Sequence, residues 1–239
     1  MVILREKILA REEKCFEFLR SIPEDRRFVL LGGYAVSAFE FPRLSIDMDI
    51  AIPSGELEFF RVLVKKQGFV FSQEKSGFDL TYGGKYERYV KDGELPVSVD
   101  LLINSVQARQ TNYAYSFEYI NKNSEIRELR GWHPRHKVSS RIVKKEMLVA
   151  LKIHSMRTAD KRDIIMLCYR GIDSSKVADH LKNSPREMIL KNLGELSSLL
   201  EDASQRDSIK GVFTLSDEVL DKAVGNCRKM VEEIKAKFG

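Results

Sequence analysis

The sequence predicts an α+β fold, with a small mixed β-sheet and flanking helices over residues 1–138 and a helical part over residues 139–239. Two observations carry this. Residues 46–52 and 95–103 alternate apolar and polar or acidic positions at a period of two, as strands with one buried face require. Near Ser139 the apolar period lengthens to that of helices.

In chain order, residues 4–19 space Ile8, Cys15, Phe16 and Leu19 as one face of an amphipathic helix that ends before Pro23 and packs on the outside of the sheet. Residues 28–31 form a first strand that runs into Gly32 and Gly33, residues 35–41 a short helix, and residues 46–52 a second strand. A helix starting at such a turn offers unpaired N–H groups to a phosphate. Ser54, in the turn Pro53-Ser54-Gly55, is placed to cap a helix over 56–67, which buries Leu57, Phe60, Leu63 and Val64 and ends at Gly68. Residues 69–71 and 78–82 read as strands joined by a polar turn at 75–77, closed by Gly83-Gly84. The strand 95–103 is apolar enough to lie centrally, with Asp100 as its lone acid. Residues 107–122 either extend the sheet or loop over a cleft. Their aromatics, Tyr113, Tyr115, Phe117 and Tyr119, serve packing, with stacking on bases as the alternative. Residues 144–156 read as a helix, with a second over 161–167, then 174–181. Ser184-Pro185-Arg186-Glu187 opens another through Leu200, and Ser216 caps a last helix over 217–237.

Composition narrows the class. The 43% hydrophobic and 31% charged content is that of a soluble globular protein, no apolar run is long enough to span a bilayer, and the first twenty residues do not resemble a signal peptide. Cytoplasmic residence is the expectation. Cys15, Cys168 and Cys227 lie far apart, which disfavours a disulfide framework, and His133 and His136 flank Pro134 without forming a larger ligand set. The net charge of +5 favours acidic partners such as nucleotides or nucleic acid. The positive charge is concentrated between Arg127 and Lys145, where seven Lys or Arg face Glu128 alone.

The chemistry centres on one face of the second strand. Asp47 and Asp49 point the same way from an extended segment, with Ile46, Met48, Ile50 and Ile52 on the other side. Two adjacent carboxylates repel unless a cation lies between them, and Mg²⁺ with oxygen ligands meets that need. The alternative is an exposed acidic face. Asp100 is either a third acid of that site or a carboxylate held by backbone N–H groups or a local arginine. Lys152 and Asp163, eleven positions apart, would stand about 16 Å apart on one unbroken helix. A break near residues 158–160 would let them converge.

Gly32-Gly33 followed by Arg43-x-Ser45-x-Asp47-x-Asp49 resembles the signature of the nucleotidyltransferase superfamily with the polymerase-β-like fold, and most nearly its AbiEii-like branch, the minimal nucleotidyltransferases that include type IV toxins. Leu148-x-x-Leu151-Lys152-x-His154 and Arg157-x-x-Asp160-Lys161-Arg162-Asp163 are similar to that branch's downstream motifs. The likeness covers roughly residues 27–167.

The resemblance implies a nucleotidyltransferase sheet and an NTP substrate, with Asp47, Asp49 and Asp100 as ligands of Mg²⁺, two ions being the expectation. Asp100 would bridge to the second ion or act as base. Gly32, Gly33, Arg43 and Ser45 would hold the triphosphate, Lys152 would place a charge on it, and Asp163 would orient that lysine. RNA, in particular tRNA, is the acceptor suggested by the basic stretch, with a small molecule of aminoglycoside type as the rival and an antitoxin as the protein partner a toxin would have. A catalytically silent nucleotide- or RNA-binding module is the reading from a different class.

Overall fold

The computed structural model describes residues 2–108, 110–202 and 204–238 and divides the chain into two compact units. The first comprises residues 1–38, 42–107 and 114–143, and the second residues 39–41, 108–113 and 144–239. The architecture is mixed α+β, as the alternating and helical patterns predict.

The first unit is built on a seven-stranded sheet in the order β3-β4-β5-β2-β1-β9-β8. Its strands are β1 (Val29–Leu30), β2 (Asp47–Ile52), β3 (Val70–Asp79), β4 (Gly84–Lys91), β5 (Val97–Ile103), β8 (Ser124–Arg130) and β9 (Lys137–Val143). β2 runs parallel to β5 and β1 parallel to β9, while the remaining neighbours are antiparallel. A separate two-stranded ribbon joins β6 (Ser105–Ala108) to β7 (Tyr113–Ser116). The central strands bury one whole face: Met48, Ile50, Ile52, Val99 and Leu101 are fully enclosed.

Helix α1 (Val2–Arg20) lies against this sheet with Cys15, Phe16 and Phe18 buried. α2 (Gly32–Val36) begins at the glycines, earlier than predicted, and lasts five residues. A 3-10 turn at Ser54–Glu56 leads into α3 (Leu57–Lys66), so Ser54 does not cap the α-helix, and Gly68 ends the segment with a left-handed φ of 79°. α4 (Phe117–Lys122) is capped by the Ser116 hydroxyl.

Three predicted features of this unit differ. The turn placed at 75–77 lies inside β3, and the chain reverses at residues 80–83 instead. β4 was not expected because its sequence, GKYERYVK, carries charge on both faces. β8 and β9 occupy the basic stretch, to which no element was assigned from sequence, and β9 takes the sheet to Val143, beyond the Ser139 change of period.

The second unit is helical: α5 (Lys145–Ser155), α6 (Thr158–Leu167), α7 (Ser174–Leu181), α8 (Arg186–Glu201), α9 (Ser204–Phe213) and α10 (Asp217–Phe238). α5 packs on α6, α7 and α8, and α10 packs across α6, α7 and α8. The predicted break after α5 falls at Met156, whose φ of 45° is left-handed, a few residues before the expected position. Ser184 does not cap α8. Pro185 takes the cap position while the Ser184 hydroxyl meets His154 Nε2 at 3.1 Å, a use of the side chain that local spacing cannot reveal. Among the described residues, no helix is long and apolar enough to cross a membrane.

Candidate active site

The sheet register assembles the acids. In the parallel pair β2/β5, Asp49 stands directly opposite Asp100 and Asp47 opposite Ser98, so all three carboxylates share one face. On the antiparallel side of β5, Arg88 of β4 is opposite Asp100 and Tyr86 opposite Leu102, which brings Arg88 and Tyr86 to that same face. On β2 and β5 the opposite face is apolar core.

The glycine bend abuts these acids. Leu31 donates its backbone N–H to Asp49 carbonyl oxygen at 2.8 Å, fixing the end of β1 beside β2. Gly32 has φ +63°, and a Cβ there would overlap the Asp49 carboxylate. Both facts call for glycine. At Gly33 a Cβ would overlap Ser45 Oγ and meet Arg43 Nη2 at 2.9 Å, so Arg43 and Ser45 fold back onto the bend. Ser37 and Tyr34 hold that return: the Ser37 hydroxyl donates to Arg43 carbonyl oxygen at 3.1 Å, and Tyr34 Oη donates to Ser45 carbonyl oxygen at 3.3 Å. Six residues singled out in sequence, Gly32, Gly33, Arg43, Ser45, Asp47 and Asp49, are thus drawn together with Asp100.

The carboxylates differ in environment. The Asp47 side chain is 46% exposed and its Oδ1 accepts from Ser98 Oγ at 2.5 Å. The Asp100 side chain is 6% exposed, and Arg88 grips it with two hydrogen bonds, Nε to Oδ1 at 2.7 Å and Nη2 to Oδ2 at 2.6 Å. The same Nη2 lies 3.9 Å from Asp47 Oδ1. The hydrogen bonds that Arg88 donates to Asp100 raise the already high pKa of Arg88, and burial, with Asp100's charge adding to it, raises that of Tyr86. Arg88 is the residue that sequence reading left unnamed. The available signal was the Tyr86-x-Arg88-x-Val90 alternation, which puts a guanidinium on the acid face once β4 is seen to be a strand.

Oxygen donors suit Mg²⁺, which binds through one or two carboxylates and completes its shell with water and substrate phosphate. Asp47 and Asp49 fit that role. Asp100 has both oxygens committed to Arg88, and among the described residues no group of three or more Asp, Glu, His or Cys is arranged to hold a metal ion.

In the helical unit, the left-handed Met156 lets α6 fold back on α5, and Lys152 reaches Asp163 Oδ2 at 2.7 Å and Asp160 Oδ1 at 3.0 Å. Arg157 Nε adds a 2.8 Å bond to Asp160 Oδ2. Burial opposes the charge on Asp160, but Lys152 and Arg157 outweigh it and bring its pKa down to about 2. Lys152 is 4% exposed, so its ammonium serves these two carboxylates where it stands. The ion pair is therefore buried within the helical unit, not on its surface.

The basic stretch is partly neutralised. Arg127 pairs with Glu125 at 2.9 Å, Arg130 with Glu128 at 2.7 Å and Lys145 with Glu40 at 3.3 Å. Cross-strand register gathers Arg130, Lys137 and Arg141 on one face of the β8/β9 hairpin, with Glu128 among them, so that the face is positive on balance. His133 and His136 belong to a structural knot in which the buried Glu12 accepts from the backbone N–H of Trp132 and His133 and pairs with His136.

No protein-family profile matches the chain, and no curated protein matches it. Among solved structures, a candidate nucleotidyltransferase of H. pylori is 16% identical and superposes with a TM-score of 0.50 over 98% of this chain and 96% of its own. Another Helicobacter pylori protein is 15% identical, with a TM-score of 0.48 over 97% and 95%. A CdnE cyclic dinucleotide synthase of Elizabethkingia meningoseptica, determined with GTP and Apcpp, is 11% identical, with a TM-score of 0.27 over 94% and 90%. The first likeness shows a shared fold, and the other two superpose too loosely to bear on it.

Proposed function

We propose that the chain is a Mg²⁺-dependent nucleotidyltransferase that moves a nucleoside monophosphate from an NTP to an acceptor hydroxyl or phosphate. The observation that carries this reading is the convergence of Asp47, Asp49 and Asp100 on one sheet face beside the Gly32-Gly33 bend, with Arg43 and Ser45 folded onto Gly33. Asp47 and Asp49 would hold Mg²⁺, which when bound neutralises phosphate charge. The glycines let the backbone approach a triphosphate without a Cβ in the way, and Arg43 supplies a forked cation for its oxygens. Asp100, once released from Arg88, is placed to take the acceptor's proton or to complete a second metal site. A role for Lys152, oriented by Asp163, as a charge for the triphosphate rests on the sequence resemblance. This requires nucleotide to draw its ammonium away from two carboxylates.

RNA, in particular tRNA, is the proposed acceptor class, supported by the cationic face of Arg130, Lys137 and Arg141. A toxin role with an antitoxin partner rests on the sequence resemblance. The Arg88 clamp on Asp100 favours one competing reading, a silent module that binds nucleotide or RNA without turnover.

The deciding experiment incubates the chain with each labelled NTP, Mg²⁺ and an RNA pool. Transfer of label is expected, and Asp47→Ala with Asp49→Ala should reduce it by at least about a thousandfold, the scale of removing a metal's protein ligands, while leaving RNA binding intact. If no label is transferred and no nucleotide shifts the melting temperature, the reading fails.

A further inference from the structure

We propose that Arg88 is a resident cation of the acid face, competing with the divalent metal for Asp100 and keeping that carboxylate out of the metal shell until the guanidinium swings away. The inference rests on the metal-dependent reading above.

Four observations lead to it. Arg88 is not a long side chain that happens to fall on an acid, because the β4/β5 register sets it directly across from Asp100. Its contact is the two-pronged one that a planar guanidinium makes best, through Nε and Nη2 to the two oxygens. Asp100 is the most enclosed carboxylate of the three for which an exposure bears on the question: its side chain is 6% exposed against 46% for Asp47, so its charge is costly without a counter-ion. Finally, Nη2 leans to within 3.9 Å of Asp47 Oδ1, so one nitrogen spans carboxylates from both strands, a position in which a bridging divalent ion would also be attracted.

The opposite face of β4 supplies a contrast. Glu87, fully buried, is held by Arg61, Tyr89 and Lys85, a closed network on which the fold depends. The Arg88 side chain remains 33% exposed, so it has a way out to solvent. With Arg88 engaged, the three carboxylates and the guanidinium carry a net charge of minus two, which one divalent ion balances. With Arg88 turned out, the charge is minus three and a further ion is drawn in.

The test is titration with Mn²⁺ alone, followed by its electron paramagnetic resonance signal, on the full chain. Arg88→Met should bind Mn²⁺ at least about tenfold more tightly than the unaltered chain, and Arg88→Lys, which cannot fork, should fall between them. Adding Asp100→Asn to Arg88→Met should cancel the gain, a result that a merely structural role for Arg88 would not produce. If Arg88→Met folds only in the presence of Mn²⁺, that too supports competition for Asp100, and if it does not fold at all the decision passes to Arg88→Lys. Equal Mn²⁺ affinity in the unaltered chain and the Arg88 variants, with label transfer intact, overturns this inference alone. Absence of Mn²⁺ binding in every variant together with absence of transfer overturns the metal-dependent reading and this inference with it.

Discussion

At the residue scale, Gly32 is the position where local backbone and site geometry make the same demand. A side chain there meets a left-handed φ and the Asp49 carboxylate at once. Gly32→Ala should cost about 1–2 kcal/mol for the backbone alone and push Asp49 out of line with Asp47 and Asp100. Urea melts should show the loss of stability, and label transfer should drop at least about tenfold. The glycine pair and the D-x-D were legible in the sequence because each depends on local rules, φ freedom and strand alternation. Arg88 was not, because its importance lies in a cross-strand neighbour twelve residues away. Ser184 was misread for the same reason: spacing offered it as a helix cap, whereas its hydroxyl answers His154, thirty residues back.

At the scale of elements, α1 is tied to the β8/β9 hairpin through Glu12. Its carboxylate accepts from Trp132 N at 2.6 Å and His133 N at 3.1 Å and meets His136 Nδ1 at 2.6 Å, and the second ring nitrogen of His136 reaches Glu13 at 2.7 Å. Glu12→Ala would strand two backbone donors under the helix. The expected cost is about 2–4 kcal/mol by chemical denaturation, with a shift in the emission of the chain's single tryptophan, Trp132. The strands β2 and β5 were readable because one face of each is apolar throughout. β4, β8 and β9 were not, since charged residues on them are satisfied by partners distant in sequence: Glu87 by Arg61 of α3, Arg127 in part by the carbonyl oxygen of Ala38.

For the molecule as a whole, buried ionisable groups predict two separate steps in stability against pH. Burial lowers the pKa of His154 from 6.5 to about 4, between the Thr111 and Ser184 hydroxyls and stacked on Tyr113. The unfolded chain therefore takes up this proton first as pH falls. Stability is full above about 6.5 and declines towards 4, by about 3 kcal/mol at most. Glu87 and Asp160, each brought down to about 2 by their cationic partners against the opposing effect of burial, contribute stability that is present above the ordinary carboxylate range and lost as pH falls from about 4.5 towards 2. Urea melts across pH 7.5 to 2.5 should resolve both steps, and His154→Gln should flatten the upper one while leaving the lower.

The neighbours Glu87 and Arg88 carry a further consequence. Because they point to opposite sides of β4, shifting that strand by one position brings Glu87 against Asp100 in one direction and, in the other, brings Arg88 into the place beside Arg61. Misalignment of β4 by one position is thus punished by like-charge repulsion on one side of the sheet or the other, although the strand's outer partner, β3, is interrupted by two irregularities and cannot by itself dictate the alignment. The same two charges that furnish the acid face and brace its reverse act as a proofreading device for how the chain is threaded.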